Sequence, residues 1–275
     1  VTGSTITLCD YPVEQALDIF RRAGFTRLEM WVHHLKQCKT AELRQAFGAF
    51  AKSSGIGMGG LNVVGEEYFH PFGTDAERER TLRMIESDAR FAQALGATGV
   101  LIWEGRAPAG TSEAHWISHL LPGLIELFQE ALAFMKPLGL RLLVEPHPYT
   151  VGMSDQFLIR LCDALDPAHF GVTYDFCHYG VGRPLDYVQA IHALGPRIRH
   201  LHFSDSDMQT SELHFPAGRG RMNIQAILEA LREIGYDGTM ALDLYGYPTP
   251  VEALAASAPR YREALDYLGI QNSLV

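Results

Sequence analysis

The sequence predicts an α/β protein folded as one (β/α)8 TIM barrel, and three observations carry that reading. Eight short apolar runs alternate with eight longer amphipathic stretches along 275 residues, the order of strands and helices in a parallel α/β fold. Five helical stretches end on glycine, at Ala23-Gly24, Leu95-Gly96, Leu138-Gly139, Leu194-Gly195 and Ile234-Gly235, and a strand pattern begins within a few residues of each, which is the helix-stop signal. Eight such units fill roughly 250 residues as a single domain, so residues 1–275 are expected to form one domain. A doubly wound open sheet is the alternative. It usually carries a glycine-rich turn after its first strand, and none follows residues 5–8.

The elements are expected in this order. A strand at 5–8 leads to a helix at 12–23, and a strand at 27–32 to a helix at 40–54. The strand at 57–64 precedes a helix at 75–95, in which Leu82, Ile85, Ala89, Ala92 and Leu95 keep the 3- and 4-residue spacing of one buried face. Strands at 99–105, 141–147, 170–178 and 198–205 precede helices at 115–138, 154–164, 184–194 and 223–234. The eighth strand, 239–246, leads to a helix at 250–268, whose entry is marked by Pro248 and Pro250.

Composition narrows the class. An apolar fraction of 47% with 20% charged residues supplies a large core and argues against disorder. A net charge of -9 argues against a nucleic-acid partner, because such proteins carry a basic excess. No run reaches the roughly 18 apolar residues of a membrane span, so no membrane partner is expected. The opening VTGSTITLCD lacks a basic-then-apolar leader, and the cytoplasm is the expected location. Cys9, Cys38, Cys162 and Cys177 form no CxxC pair and are expected to be reduced thiols.

In a barrel, the carboxyl ends of the strands build the active site, and here those ends carry residues foreign to a core. They are Glu29 and Trp31 on strand two, Asn62 on three, Glu104 on four, Glu145 and His147 in LLVEPHP on five, and Asp175 followed by His178 on six. Strand seven, IRHLHFSDSD, adds His200, His202 and Asp205; strand eight, MALDLYG, adds Asp243. Strand alternation puts Glu145 with His147, His200 with His202, and Asp243 with Tyr245 on shared faces, and the polar faces are expected to point to the barrel axis. Glu145, Asp175, His202 and Asp243 then place three carboxylates and one imidazole around one point. Buried carboxylates repel unless a counter-charge joins them. An Arg or Lys partner would explain any one of them; four on successive strand ends point to a divalent metal, Mn²⁺ first, with Mg²⁺, Co²⁺ or Zn²⁺ as alternatives.

Other residues are expected around that point. His178 is expected to contact substrate, His147 and Glu104 to lie at the mouth, and Trp31 to offer a stacking wall. The loop HFPAGRGRMN after strand seven places Gly218 and Gly220 for close backbone approach to a phosphate or hydroxyl, with Arg219 and Arg221 as donors.

Together the segments ARFAQALGA, VEPHP, YDFCH, HLHFSD and PAGRGR resemble the xylose isomerase-like TIM barrels. That superfamily includes sugar phosphate isomerases and epimerases, ketose 3-epimerases, inosose dehydratase and the AP endonuclease family 2 type. The resemblance covers nearly the whole chain. It implies a metal held by Glu145, Asp175, His202 and Asp243, with His178 on the substrate. In the epimerases two Glu residues flank the substrate and exchange protons with it; Asp243 stands where the second usually is, one methylene shorter.

The implied activity is a metal-dependent isomerase or epimerase on a sugar or keto-sugar, through proton abstraction by Glu145 and a metal-stabilised enolate. Asp243 and His178 complete the catalytic set. The same enolate serves a dehydratase or lyase acting on a keto-sugar, cyclitol or oxidised glycoside, with His178 or His147 as acid, and the shorter Asp243 keeps that alternative open. A non-catalytic barrel or a partner-dependent subunit is a third reading. An AP endonuclease is disfavoured, because strand four ends in WEG rather than a His and the chain is acidic. The expected partner is a small-molecule carbohydrate, and homo-oligomerisation is left open.

Overall fold

The computed structural model describes residues 1–35, 41–62 and 69–270. Among the described residues, eight parallel strands are present: β1 (Thr2–Ser4), β2 (Arg27–Trp31), β3 (Gly57–Asn62), β4 (Gly99–Ile102), β5 (Arg141–Val144), β6 (Phe170–Asp175), β7 (Ile198–Phe203) and β8 (Thr239–Leu242). Each pairs with the next, and β8 returns to β1 through Ala241↔Thr2 and Leu242↔Gly3, which closes the sheet into a barrel. Because all eight run in one direction, their carboxyl ends open on one side, and the polar residues that follow them meet there.

Helices follow the strands: α1 (Val13–Arg22), α2 (Ala41–Ser53), α3 (Asp75–Leu95), α4 (Glu113–His115), α5 (Leu121–Met135), α6 (Asp155–Asp163), α7 (Phe176–Gly182), α8 (Tyr187–Leu194), α9 (Ile224–Glu233) and α10 (Pro250–Leu268). Helix α3 shows how local chemistry sets the ends. The Thr74 backbone N–H donates to Glu77 Oε2 at 2.7 Å and the Thr74 hydroxyl accepts from the Glu77 N–H, a capping box. The helix stops at Gly96, whose φ of 74° is the left-handed conformation that glycine adopts without strain. Among the described residues, no helix is long and apolar enough to cross a membrane.

Four expectations are corrected. The first strand is Thr2–Ser4, and residues 5–8 form a 3-10 turn. The β-branched Thr5 and Thr7 mimic a strand, but their hydroxyls accept the Trp31 N–H at 2.8 Å and the Leu244 N–H at 2.9 Å, so the segment caps the two flanking strands. Strand six ends at Asp175, and 176–182 is the unanticipated helix α7. The helix expected at 115–138 is broken into α4, a π-helical turn over Trp116–Leu120, α5 and a 3-10 turn. Two prolines lie in its path, Pro122 entering α5 and Pro137 ending it, and proline donates no N–H to a continuous ladder. Strands four, five, seven and eight end two to four residues early, so Glu145 and Asp243 follow their strands directly. Cys38, residues 63–64 of the third strand and the Asn62 side chain lie outside what is described; Cys9, Cys162 and Cys177 are free thiols.

Between the sheet and the helices lies an apolar layer. Near the chain start it is aromatic: Phe20 meets Phe25 edge-on with centroids 5.2 Å apart, and Tyr261 lies 6.2 Å from Phe25 and 5.7 Å from Phe203. The Tyr261 hydroxyl is satisfied by donating to Met240 O at 2.5 Å, which ties α10 to β8. Gly3 on β1 is pressed against this cluster, and a Cβ there would sit 2.3 Å from Phe20 Cε1. Gly3→Ala is therefore expected to destabilise by about 1–3 kcal/mol through overpacking. Chemical denaturation would show this as a lower midpoint with an unchanged m-value.

Candidate metal centre and substrate cavity

The four strand-end residues converge. Glu145 continues the β5 ladder, its N–H donating to Ile102 O at 2.9 Å, and the Asp243 N–H does the same for β8 at Phe203 O, 3.2 Å. Asp175 terminates β6 and caps α7, where its Oδ1 accepts the His178 N–H at 2.8 Å and its Oδ2 is left over. His202 Nδ1 lies against Glu145 Oε1, 3.4 Å from Asp175 Oδ2 and 3.6 Å from Asp243 Oδ2. All four residues are buried. Among the described residues, the ion-pair partners of these carboxylates are all histidines.

Burial alone would raise the Glu145 carboxyl, but His202 and His147 outweigh it and hold it well below the usual carboxylate range. Asp175 is likewise lowered, with His178 and His214 outweighing its burial. Asp243 goes the other way: burial pushes it up to about 6, against the pull of His214 and His202. One imidazole cannot serve three carboxylates. Glu145 Oε1, Asp175 Oδ2 and His202 Nδ1 are buried and make no hydrogen bond among the described residues, a costly arrangement unless a cation sits among them. Three carboxylate oxygens and one imidazole nitrogen fit a divalent ion of the Mn²⁺, Mg²⁺, Co²⁺ or Zn²⁺ kind, and Glu145, Asp175 and His202 alone bring ligand atoms within 4.8 Å of one another.

Above this point a cavity of about 480 Å³ opens, a size suited to a small organic ligand. Glu145 and Asp243 lie at its floor, beside His147 and His178; Trp31, Trp103, Tyr149 and Tyr245 supply aromatic walls. His147 and His178 meet as tilted rings with centroids 3.7 Å apart, yet their charges diverge. Burial opposes protonation of His147, but Glu145 and Glu212 outweigh it and raise the ring to about 9. Burial dominates at His178 and pushes it down to about 4. A charged imidazole and a neutral one therefore face the cavity side by side.

His214 and Glu212 escaped the sequence reading, as did the walls Trp103 and Tyr149. His214 is buried against Asp175 and Asp243, at 3.8 Å and 3.6 Å, and neither ring nitrogen makes a hydrogen bond among the described residues. Glu212 at the rim accepts from the Tyr149 hydroxyl at 3.3 Å and lies 3.7 Å from His147 Nδ1. The pair Glu-Leu-His stands immediately before the glycine loop, and it was legible only as loop chemistry. Glu29 and His200 lie deeper: His202 Nε2 and Glu29 Oε1 are 2.9 Å apart, and His200 Nε2 is 3.1 Å from Glu29 Oε2.

Other expectations shift. Trp31 does line the cavity. Glu104 does not; it is fully buried, with Oε1 accepting the Gly152 N–H at 2.7 Å, and it anchors the segment after β5. Arg219 is exposed and does not line the cavity. The glycine loop instead wraps a carboxylate of the protein. Asp205 accepts the backbone N–H groups of Ser206, Gly218, Gly220 and Met222 at 2.8–3.1 Å. A Cβ on Gly220 would lie 2.3 Å from Asp205 Oδ1, so this glycine serves an internal anion rather than a phosphate.

Comparisons with known proteins bear on the family and the fold. The profile of the family described as xylose isomerase-like TIM barrel matches residues 17–269. An uncharacterized protein of Methanocaldococcus jannaschii is 26% identical over 170 residues, 60% of this chain; the match spans 57% of that protein, little more than half its length. Fructoselysine 3-epimerase of Escherichia coli O157:H7 is 26% identical over 249 residues, 85% of this chain and 86% of the relative. Among solved structures, a D-tagatose 3-epimerase-like protein superposes with a TM-score of 0.79 at 19% identity, covering 98% of this chain and 97% of its own. The probable 3-DHS dehydratase AsbF of Bacillus anthracis gives 0.74 at 16% identity over 95% and 98%. The IolI protein, solved with a bound zinc atom, gives 0.77 at 16% over 98% and 97%. At these identities the structural matches establish the fold.

Burial pushes the Glu104 carboxyl up from an ordinary value of 4.5 to about 7. The folded state thus binds a proton that the unfolded chain has released, and stability is lost as pH rises through that window. The loss from this group is on the order of 3 kcal/mol, at 1.36 kcal/mol per tenfold change in proton affinity. Glu104→Gln keeps an acceptor for the Gly152 N–H and removes the ionisation. Its stability relative to the parent, read from urea unfolding, is expected to increase by a few kcal/mol between pH 5 and pH 8; a difference independent of pH would contradict the assignment.

Proposed function

The chain belongs to the xylose isomerase-like TIM-barrel family, and on that premise we propose that it is a divalent-metal-dependent epimerase or isomerase of a keto-sugar. The observation that carries the reading is the convergence of three carboxylates on His202 Nδ1 at the floor of a cavity. Glu145, Asp175, His202 and Asp243 would hold the ion, which supplies Lewis-acid polarisation of a substrate carbonyl. The fructoselysine 3-epimerase relative, matched over most of both chains, supports a ketose or a ketose conjugate as the substrate class.

The side chains take the following roles. Glu145 is the base: it lines the cavity and is ionised, and its Oε2 reaches toward the open space while Oε1 faces His202. It removes the proton on the carbon next to the carbonyl. His147 stands 3.6 Å from Glu145 Oε2 and 3.7 Å from Glu212 Oε1, so the line Glu145–His147–Glu212 offers that proton a route to the rim. Asp243 is the second carboxyl of the cavity and the partner for proton return to carbon. His178 through Nδ1, and His214 through its ring nitrogens, atoms that make no protein hydrogen bond among the described residues, hold substrate hydroxyls. Trp31 and Trp103 pack against the apolar faces of the sugar.

A second reading, elimination by a dehydratase or lyase, draws on Asp243 and His147. Asp243 Oδ1 is engaged by the Tyr245 N–H at 2.9 Å, and its side chain is short. If it falls short of the substrate carbon, proton return fails, and His147, protonated at neutral pH, is placed to protonate a β-leaving group.

Both readings share the first step and part at the second. With Mn²⁺ present, a panel of ketohexoses and fructosamines incubated in D₂O is expected to acquire deuterium at one carbon, followed by ¹H NMR. Glu145→Gln is expected to slow that exchange by 10²-fold or more, in line with loss of a general base; exchange at the parental rate would remove Glu145 from its role. An epimer as the sole product supports the first reading, and release of water or an aglycone supports the second.

A further inference from the structure

Below the candidate centre lies a chain of polar contacts that the reaction does not touch. Glu29 sits on β2 with 3% of its surface exposed, and it reaches across the barrel interior to β7. Its Oε1 is 2.9 Å from His202 Nε2, and its Oε2 is 3.1 Å from His200 Nε2. His200 Nδ1 in turn lies 2.7 Å from the Thr239 hydroxyl on β8. Neither Glu29 nor His200 lines the cavity, so neither is placed to meet a substrate.

We propose that Glu29 is a positioning residue that fixes which ring nitrogen His202 presents to the cation. An ionised carboxylate only accepts hydrogen bonds, so the 2.9 Å contact requires a proton on His202 Nε2. Without a cation the same rule puts a proton on Nδ1 against Glu145; with a cation bound, Nδ1 is the nitrogen that gives up its proton and presents its lone pair at the point shared by Glu145, Asp175 and Asp243, because Nε2 stays held by Glu29. The opposite tautomer would set the Nε2 lone pair against the Glu29 carboxylate. Glu29 also adds negative charge behind the ring, which strengthens Nδ1 as a donor, the general effect of a carboxylate behind a metal-binding imidazole. The contact with His200, steadied by Thr239, holds the second Glu29 oxygen and so the orientation of the carboxylate.

The inference rests on the divalent-metal reading of the site, and the test separates the two. Zn²⁺ serves as a diamagnetic probe. In ¹⁵N-histidine-labelled protein loaded with Zn²⁺, long-range ¹H–¹⁵N spectra are expected to show His202 bound through Nδ1 with its proton on Nε2; His202→Gln assigns the signals. Glu29→Gln, whose amide can turn either end to His202, is expected to weaken Zn²⁺ binding by about 10–100-fold in calorimetry, and Glu29→Asp to recover part of it. Coordination through Nε2 in the parent, or affinity and tautomer unchanged in a folded Glu29→Gln, would overturn the role of Glu29 and leave the metal reading intact. A parent that binds neither Zn²⁺ nor Mn²⁺ would overturn the metal reading and the inference with it. The parental spectrum needs no variant, so a failure of Glu29→Gln to fold does not remove the test.

Discussion

Three carboxylates converge on one imidazole nitrogen inside a barrel, and the rest of the site follows from that repulsion. His202 Nδ1 lies within 3.6 Å of Asp175 and Asp243 and in contact with Glu145. The parallel sheet causes the convergence, because register brings the ends of β5 to β8 to one level. The sheet cannot neutralise the charges it assembles. Around them stand His147, His178 and His214, and the two carboxylates that histidines outweigh burial to ionise, Glu145 and Asp175, are those with an oxygen left unpaired.

Besides Glu29, which pairs with His200 and His202, carboxylates are buried here in three further, physically different ways. Asp205 is wrapped by four backbone N–H groups of the loop after β7, which spreads the charge over fixed dipoles. Glu104 lacks that support. It accepts the Gly152 N–H, and its raised proton affinity keeps it protonated below neutral pH. Glu145, Asp175 and Asp243 meet around His202 Nδ1, and Glu145 and Asp175 each keep an oxygen without a partner among the described residues, the arrangement that calls for a mobile counter-charge. This third group supplies Glu145 and Asp243 to the cavity wall, whereas Asp205 and Glu104 do not line it.

Charge is also graded outward from the floor. Glu145 is held ionised, His147 carries a proton at neutral pH, and Glu212 lies half exposed at the rim. His178, in tilted contact with His147, is driven neutral by burial. Two rings of the same type in contact thus differ in protonation because carboxylates outweigh burial at one, and burial prevails at the other even with Asp175 nearby. Acid and acceptor functions are placed side by side without a change of residue type.

The sequence by itself determined the alternation of strands and helices, the glycine stops, and the four residues Glu145, Asp175, His202 and Asp243. These are local facts: apolar period, cap chemistry, and a polar residue at each strand end. It misplaced β1, because the hydroxyls of Thr5 and Thr7 bond to strands 26 and 237 residues away. It missed α7, because Asp175 serves as both strand end and helix cap. It also assigned Glu104 to the mouth and Arg219 to ligand donation, and neither lines the cavity. Only the tertiary structure decided that the glycine loop closes on Asp205, that His214 and Glu212 join the cavity, and that Glu29 stands behind His202 from the far side of the barrel. Each of those contacts depends on side-chain direction and on closure of the sheet, which no spacing along the chain encodes.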